Sequence, residues 1–167
     1  KTLLIGATTI LELSHSSFGA QPATDSAQEL RQAQDRPNIL FISTDDQASW
    51  AIGASGNKQA ITPHMDRLVS ESVYLVNSFV STPVCSPSRA ATLTGRYGYE
   101  VGVFNWFMPT DQKQGLDLEE TTFAEALRDA GYHTGLVGKW HLGMNDRFYP
   151  TLQGFDYFMG HRHGGFK

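Results

Sequence analysis

The chain has 167 residues, enough to bury one ordinary core, and its 40% apolar and 18% charged content suits a globular rather than a disordered chain. The formal net charge is −4 with no basic run, so the electrostatic footprint of a nucleic-acid binder is missing, and an anionic substrate would need a local cationic pocket. One cysteine, Cys85, excludes an internal disulfide and a cysteine-rich zinc site.

Lys1 is followed by an apolar run, Thr2 to Leu11, of signal-peptide length and too short to span a bilayer as a helix. Small residues follow at Ser16, Ser17, Gly19, Ala20 and Ala23, so residues 1–22 read as a signal peptide and the protein as exported, periplasmic or secreted. A frayed amphipathic N-terminus is the alternative. The missing initiator Met suggests a true start upstream. Residues 23–35 are polar and Ala/Gln-rich and read as a linker.

Pro37 to Thr44 reads as a strand whose continuous apolar centre suits burial on both faces of a parallel sheet. Asp45 and Asp46 end it. Thr62 then caps a helix with Pro63 at its first position and Met65, Leu68 and Val69 as its apolar stripe. Val73 to Val80 is β-branched and aromatic, a second strand. Two prolines bracket Cys85, and Pro87 suits the first turn of a helix running to Thr94 and closed by Gly95. Gly98 to Leu118 has no clear period and reads as loop.

Thr122-x-x-Glu125 is a capping box, Phe123, Ala126, Leu127 and Ala130 share one helix face, and Gly131 suits the C′ position. Tyr132 to Val137 is a strand leading into Gly138-Lys139-Trp140-His141, and Gly154 to Phe158 is a further short strand. His161-Arg162-His163 reads as a mobile polar loop, with the lining of a substrate pocket as the alternative. The alternation predicts an α/β fold, a mostly parallel sheet with helices on both faces. Ligands of such sheets sit outside the carboxyl ends of the strands. That rule puts Asp45 and Asp46, Cys85 and Arg89, and Lys139 and His141 on one rim.

Each group has a chemistry and a plainer alternative. Adjacent carboxylates are hard donors for calcium or magnesium, or else a solvated acidic turn. Cys85 before a helix N-terminus would have its thiolate favoured, or else it is a buried small hydrophobe. Arg89, one turn on, can face the same place, or lie on the surface. Lys139 and His141, two residues apart, point the same way in an extended segment and suit an anion cleaved near neutral pH, or face solvent.

Cys85-Ser86-Pro87-Ser88-Arg89 with Leu93-Thr94-Gly95-Arg96 resembles the first signature of the sulfatase family, and Gly138-Lys139-Trp140-His141-Leu142-Gly143 resembles the second. Arg36-Pro37-Asn38 through Asp45-Asp46, and Thr62-Pro63-His64-Met65-Asp66, are also similar to that family. The resemblance implies an alkaline-phosphatase-like fold and sulfate ester hydrolysis. It implies that a formylglycine-generating or anaerobic maturation enzyme oxidises Cys85 to Cα-formylglycine. The hydrated aldehyde would attack sulfur, form a covalent sulfate hemiester and expel sulfate through its second hydroxyl. Asp45, Asp46 and the modified Cys85 would hold Ca2+, or Mg2+. Arg89 would hold the diol, Lys139 would bind sulfate, and His141 would bind the diol and act as base.

The substrate would be a sulfated small molecule or glycan. The later half of the family's chain, with a second histidine, a second lysine and further metal ligands, has no counterpart here. Residues 36–167 therefore read as the N-terminal portion of a truncated catalytic domain, inactive alone and without a stable membrane span. The alternatives are a phosphodiesterase or phosphonate monoester hydrolase of the same superfamily, and a non-catalytic fragment that binds sulfated glycans.

Overall fold

The computed structural model describes residues 10–14 and 37–165. The segments expected to be signal and linker lie outside the described residues, except that Ile10–Ser14 forms strand β1. The other strands are β2 (Leu40–Phe41), β3 (His133–Lys139) and β4 (Tyr157–His161), in the sheet order β2-β1-β3-β4. β1 is antiparallel to both β2 and β3, and β3 is parallel to β4. β2, β3 and β4 therefore run the same way, and their carboxyl ends share one edge. The fold is α/β, as expected.

Three helices complete it: α1 (Pro63–Ser70), α2 (Cys85–Thr94) and α3 (Phe123–Asp129). α3 has the capping box read from its sequence: Thr122 Oγ1 accepts from the Glu125 N–H, and Glu125 Oε2 accepts from the Thr122 N–H at 2.7 Å. Gly131 beyond its end takes a left-handed φ of 86°. Gly95 ends α2 in the same way, with φ 69°. α1 starts at Pro63, but Thr62 does not cap it with its side chain. Its hydroxyl instead accepts from the Gly53 N–H and donates to Asp66, tying the preceding loop to the helix.

The core gathers Trp140, Leu136, Leu142, Phe155, Leu116 and Val103, all 1% exposed or less, with Ala124 of α3 and Leu93 of α2. Trp140 meets Phe155 edge-on at 6.1 Å, and its indole N–H donates to the Phe148 carbonyl at 2.8 Å.

Three expectations need correction. Val73 to Val80 forms no strand and lies exposed, with Val76 75% and Phe79 90% accessible. A strand exists only when a neighbour takes its hydrogen bonds, and the position between β2 and β3 is held by β1. The opening strand shrinks to Leu40–Phe41 and is not buried on both faces, since Ile39, Leu40 and Ile42 are exposed. Finally, Gly98 to Leu118 is irregular but structural. It contains a single-turn helix at Gly98–Val101 and sends Val101, Val103, Phe107 and Leu116 into the core.

Candidate functional site

Asp45 and Asp46 leave β2 where the backbone turns, Asp46 having a left-handed φ of 50°. The strand alternation is broken there, so the two carboxylates are not bound to opposite faces. Asp45 Oδ2 accepts from Lys139 Nζ at 2.8 Å. The lysine side chain is 5% exposed and the aspartate 42%, so the pair joins a buried ammonium to a carboxylate that water still reaches. Asp46 is exposed.

Cys85 is half-buried with a free thiol. It is the first residue of α2 and follows an extended Val84. The expectation that a strand delivers Cys85 to the rim is corrected here: the helix delivers it. Arg89, one turn later and buried, docks that helix. Its Nε donates to the Trp140 carbonyl at 2.6 Å, and a terminal nitrogen donates to the Lys139 carbonyl. Ser86 Oγ accepts from the Phe107 N–H at 3.2 Å. The N-terminus of α2 is thus pinned against the end of β3.

Burial pushes the Arg89 guanidinium down to about 10, with the nearby Asp45 and Cys85 opposing the shift. It stays cationic at neutral pH. Asp45 and Cys85 both act on one guanidinium whose hydrogen bonds end on residues 139 and 140.

His141 follows with a left-handed φ of 55° and 1% exposure. Its Nε2 lies 2.8 Å from the Phe107 carbonyl, a group that can only accept, so Nε2 carries the hydrogen. Nδ1 is buried with no hydrogen-bond partner. The imidazole titrates below its ordinary value, mainly through burial, with the cations Lys139 and Arg89 pushing the same way and the Phe107 bond and Asp45 opposing. It is neutral at neutral pH.

The structure therefore gathers Asp45, Cys85, Arg89, Lys139 and His141 around one edge of the sheet. His161-Arg162-His163 joins them and is tied down rather than mobile. Lys139 pairs with His161 in the parallel ladder, and the Trp140 and His141 N–H groups donate to the carbonyls of His161 and Arg162. Arg162 is paired with Asp146 at 2.6 Å.

Sequence patterns did not single out Phe107, Trp106 or Gly164. Phe107 meets the imidazole through its carbonyl, which every residue has, and Gly164 is one of 16 glycines, so residue type did not single either out. The Trp106 ring stands 6.4 Å from the imidazole. A cleft of about 670 Å3, lined by Phe104, Lys113, Asp117, Arg147 and Phe148, also borders Phe107.

Among the described residues, no three His, Cys, Asp or Glu side chains group as a metal site. The two carboxylates have the right chemistry for calcium or magnesium, and Asp45 already faces a cation. They supply only part of the six to eight oxygens calcium takes. The thiol at position 85 is free and half-buried.

The sulfatase family model matches residues 37–165. Human steryl-sulfatase is 42% identical over 139 residues, covering 77% of this chain and 24% of its own. Mouse arylsulfatase G is 38% identical over 160 residues, covering 96% of this chain and 29% of its own. Among solved structures, Ps i-CgsB superposes with a TM-score of 0.71 at 32% identity, covering 74% of this chain and 27% of its own. It has also been solved in complex with k-i-k-neocarrahexaose. The chain spans about a quarter of the length of these relatives.

Proposed function

The chain belongs to the sulfatase family, and from that premise we propose that the intact protein hydrolyses sulfate esters at the rim that joins Asp45, Cys85, Arg89, Lys139 and His141. The observation that carries this reading is the convergence on Arg89. One buried guanidinium, a turn after Cys85 on α2, bonds the backbone of Lys139 and Trp140, and the Lys139 ammonium bonds Asp45.

Each residue has a task its surroundings support. Lys139 presents a buried, desolvated ammonium, which attracts a sulfate oxygen more strongly than an exposed one would. Arg89 holds the Cys85 end of α2 at a fixed distance from Lys139 and adds a second positive charge to the anion site. His141, neutral and with one nitrogen unbonded, can take a proton at neutral pH. Cα-formylglycine made from Cys85 would supply, as its hydrate, one oxygen to attack sulfur and a second hydroxyl to release the product sulfate. Asp45 and Asp46 would contribute to a Ca2+ or Mg2+ shell completed elsewhere.

The substrate class in this reading is a sulfated small molecule or glycan. The complex of Ps i-CgsB with a carbohydrate hexaose supports the glycan branch, and the steryl-sulfatase match supports the small-molecule branch. A maturation enzyme acting on Cys85 is the implied partner. Export belongs to the same proposal.

The test has two arms. Co-expression of the intact protein with a formylglycine-generating enzyme should lower the mass of the Cys85 peptide by about 18 Da as thiol becomes aldehyde. The matured protein should cleave an aryl sulfate in preference to the matching aryl phosphate, and Cys85→Ala should abolish turnover while leaving the fold intact. An unmodified Cys85 with no turnover would indicate a non-catalytic protein. A preference for the phosphate would indicate a phosphohydrolase.

A further inference from the structure

We propose that Gly164 and the main-chain carbonyl of Phe107 are positioning elements that hold His141 as the Nε2–H tautomer, leaving Nδ1 as its only proton-accepting nitrogen. The proposal rests on the sulfate-ester reading for its kinetic consequence, but not for its structural one.

The ring is gripped from two sides. In the ring plane, Nε2 lies 2.8 Å from the Phe107 carbonyl, so a hydrogen must sit on Nε2. Beside Cε1 of the same ring stands Gly164. A Cβ built there would lie 2.6 Å from Cε1, 3.1 Å from Nε2 and 3.3 Å from Nδ1 of His141. No side chain fits that space without moving the imidazole.

Two features show that Gly164 is placed there by the fold. The parallel ladder of β3 and β4 runs past its last pair, Lys139 with His161, through the bonds from Trp140 N–H to the His161 carbonyl and from His141 N–H to the Arg162 carbonyl. The chain that carries Gly164 is therefore fastened to the backbone of His141 itself. Gly164 is also absent from the glycines with left-handed φ. Its backbone does not need glycine, and the steric demand of the imidazole does.

The chemical result is a nitrogen held ready. Both ring nitrogens are buried, one is spent on a carbonyl, and the other has no partner. A buried acceptor without a partner is unfavourable, so Nδ1 favours any donor that reaches it. A ring turned by half a revolution would lose the Phe107 bond and point Nδ1 elsewhere.

The experiment reads the tautomer directly. Long-range proton–nitrogen correlation spectra of the 15N-labelled intact protein, with His141 assigned by comparison with His141→Gln, should show Nε2 protonated and Nδ1 bare near neutral pH. Gly164→Ala should break that single pattern and lower kcat on an aryl sulfate by about 100-fold, the order of a general base's contribution. KM should stay within about twofold, because ground-state binding does not use the ring's direction. Gly165→Ala, whose Cβ would meet nothing within 4 Å, should change neither. A wild-type spectrum with Nδ1 protonated overturns the proposal, and that arm needs no variant to fold. So does Gly164→Ala with the wild-type pattern and kcat, or Gly165→Ala with equal losses. A correct tautomer in a matured protein that cleaves no sulfate ester upholds the positioning and rejects the sulfate-ester reading.

Discussion

The bond between Lys139 and Asp45 is asymmetric, and the asymmetry can be tested. Removing Asp45 strands an ammonium that is 5% exposed, whereas removing Lys139 leaves a carboxylate that is 42% exposed. Breaking a fully buried pair is unfavourable by about 3–5 kcal/mol. Water at Asp45 screens this one, so Asp45→Asn should destabilise by about 1–2 kcal/mol. Lys139→Met should destabilise by less, about 0–1 kcal/mol, since the aspartate can rehydrate. Denaturant midpoints of the two variants check the order. If Lys139→Met proves the more damaging, the lysine stem packs the core more than its charge serves the pair. His141 adds a pH dependence. Its folded value lies below 6.5 because burial disfavours the cation. The unfolded chain therefore takes up a proton near 6.5 that the folded chain refuses until lower pH. Its contribution to stability is complete above pH 6.5 and falls as the pH drops below it. Unfolding measured at about pH 5.5 and about pH 7.5 should show a smaller loss in His141→Gln than in wild type.

At the scale of elements, Arg89 and Ser86 together place the N-terminal turn of α2. Arg89 satisfies the carbonyls of Lys139 and Trp140, 50 and 51 residues away in sequence. Arg89→Ala leaves two buried acceptors unpaired and should destabilise by about 2–4 kcal/mol. Arg89→Lys keeps the charge but cannot fork to two carbonyls, so it should fall between wild type and alanine in stability and recover little activity. Equal stability of all three proteins in urea would show that α2 is held by its apolar contacts alone. This anchor explains why Cys85 reaches the rim without a strand behind it. That Asp45, Cys85, Arg89, Lys139 and His141 come close together could be expected because they lie in short motifs at element ends. The bond from Arg89 to backbone carbonyls could not, because an arginine four residues after a cysteine reads equally well as a ligand or as a surface charge. Phe107 and Gly164 were illegible for a related reason: every residue has a carbonyl, and one glycine among 16 does not announce what it packs against.

Over the whole molecule, legibility follows the range of the forces. α3 and its capping box, Gly95, Gly131 and β3 could be read because each is decided within a few residues. Val73 to Val80 could not, because a strand needs a partner that local sequence does not choose, and β1 holds the place beside β2 and β3. The segment therefore combines high β-propensity, no formal charge and no proline with exposed Val73, Leu75, Val76, Phe79 and Val80. Runs of that kind pair with their own copies. The 167-residue chain should scatter light increasingly with concentration, and Val76→Asp with Phe79→Asp should suppress the rise by placing charges in the run. Neither residue belongs to the rim, so the double variant should keep the His141 spectrum unchanged. If scattering persists at the wild-type level, the adhesive surface lies elsewhere. The exposed β2 edge, with Ile39, Leu40 and Ile42, is then the next place to put a charge.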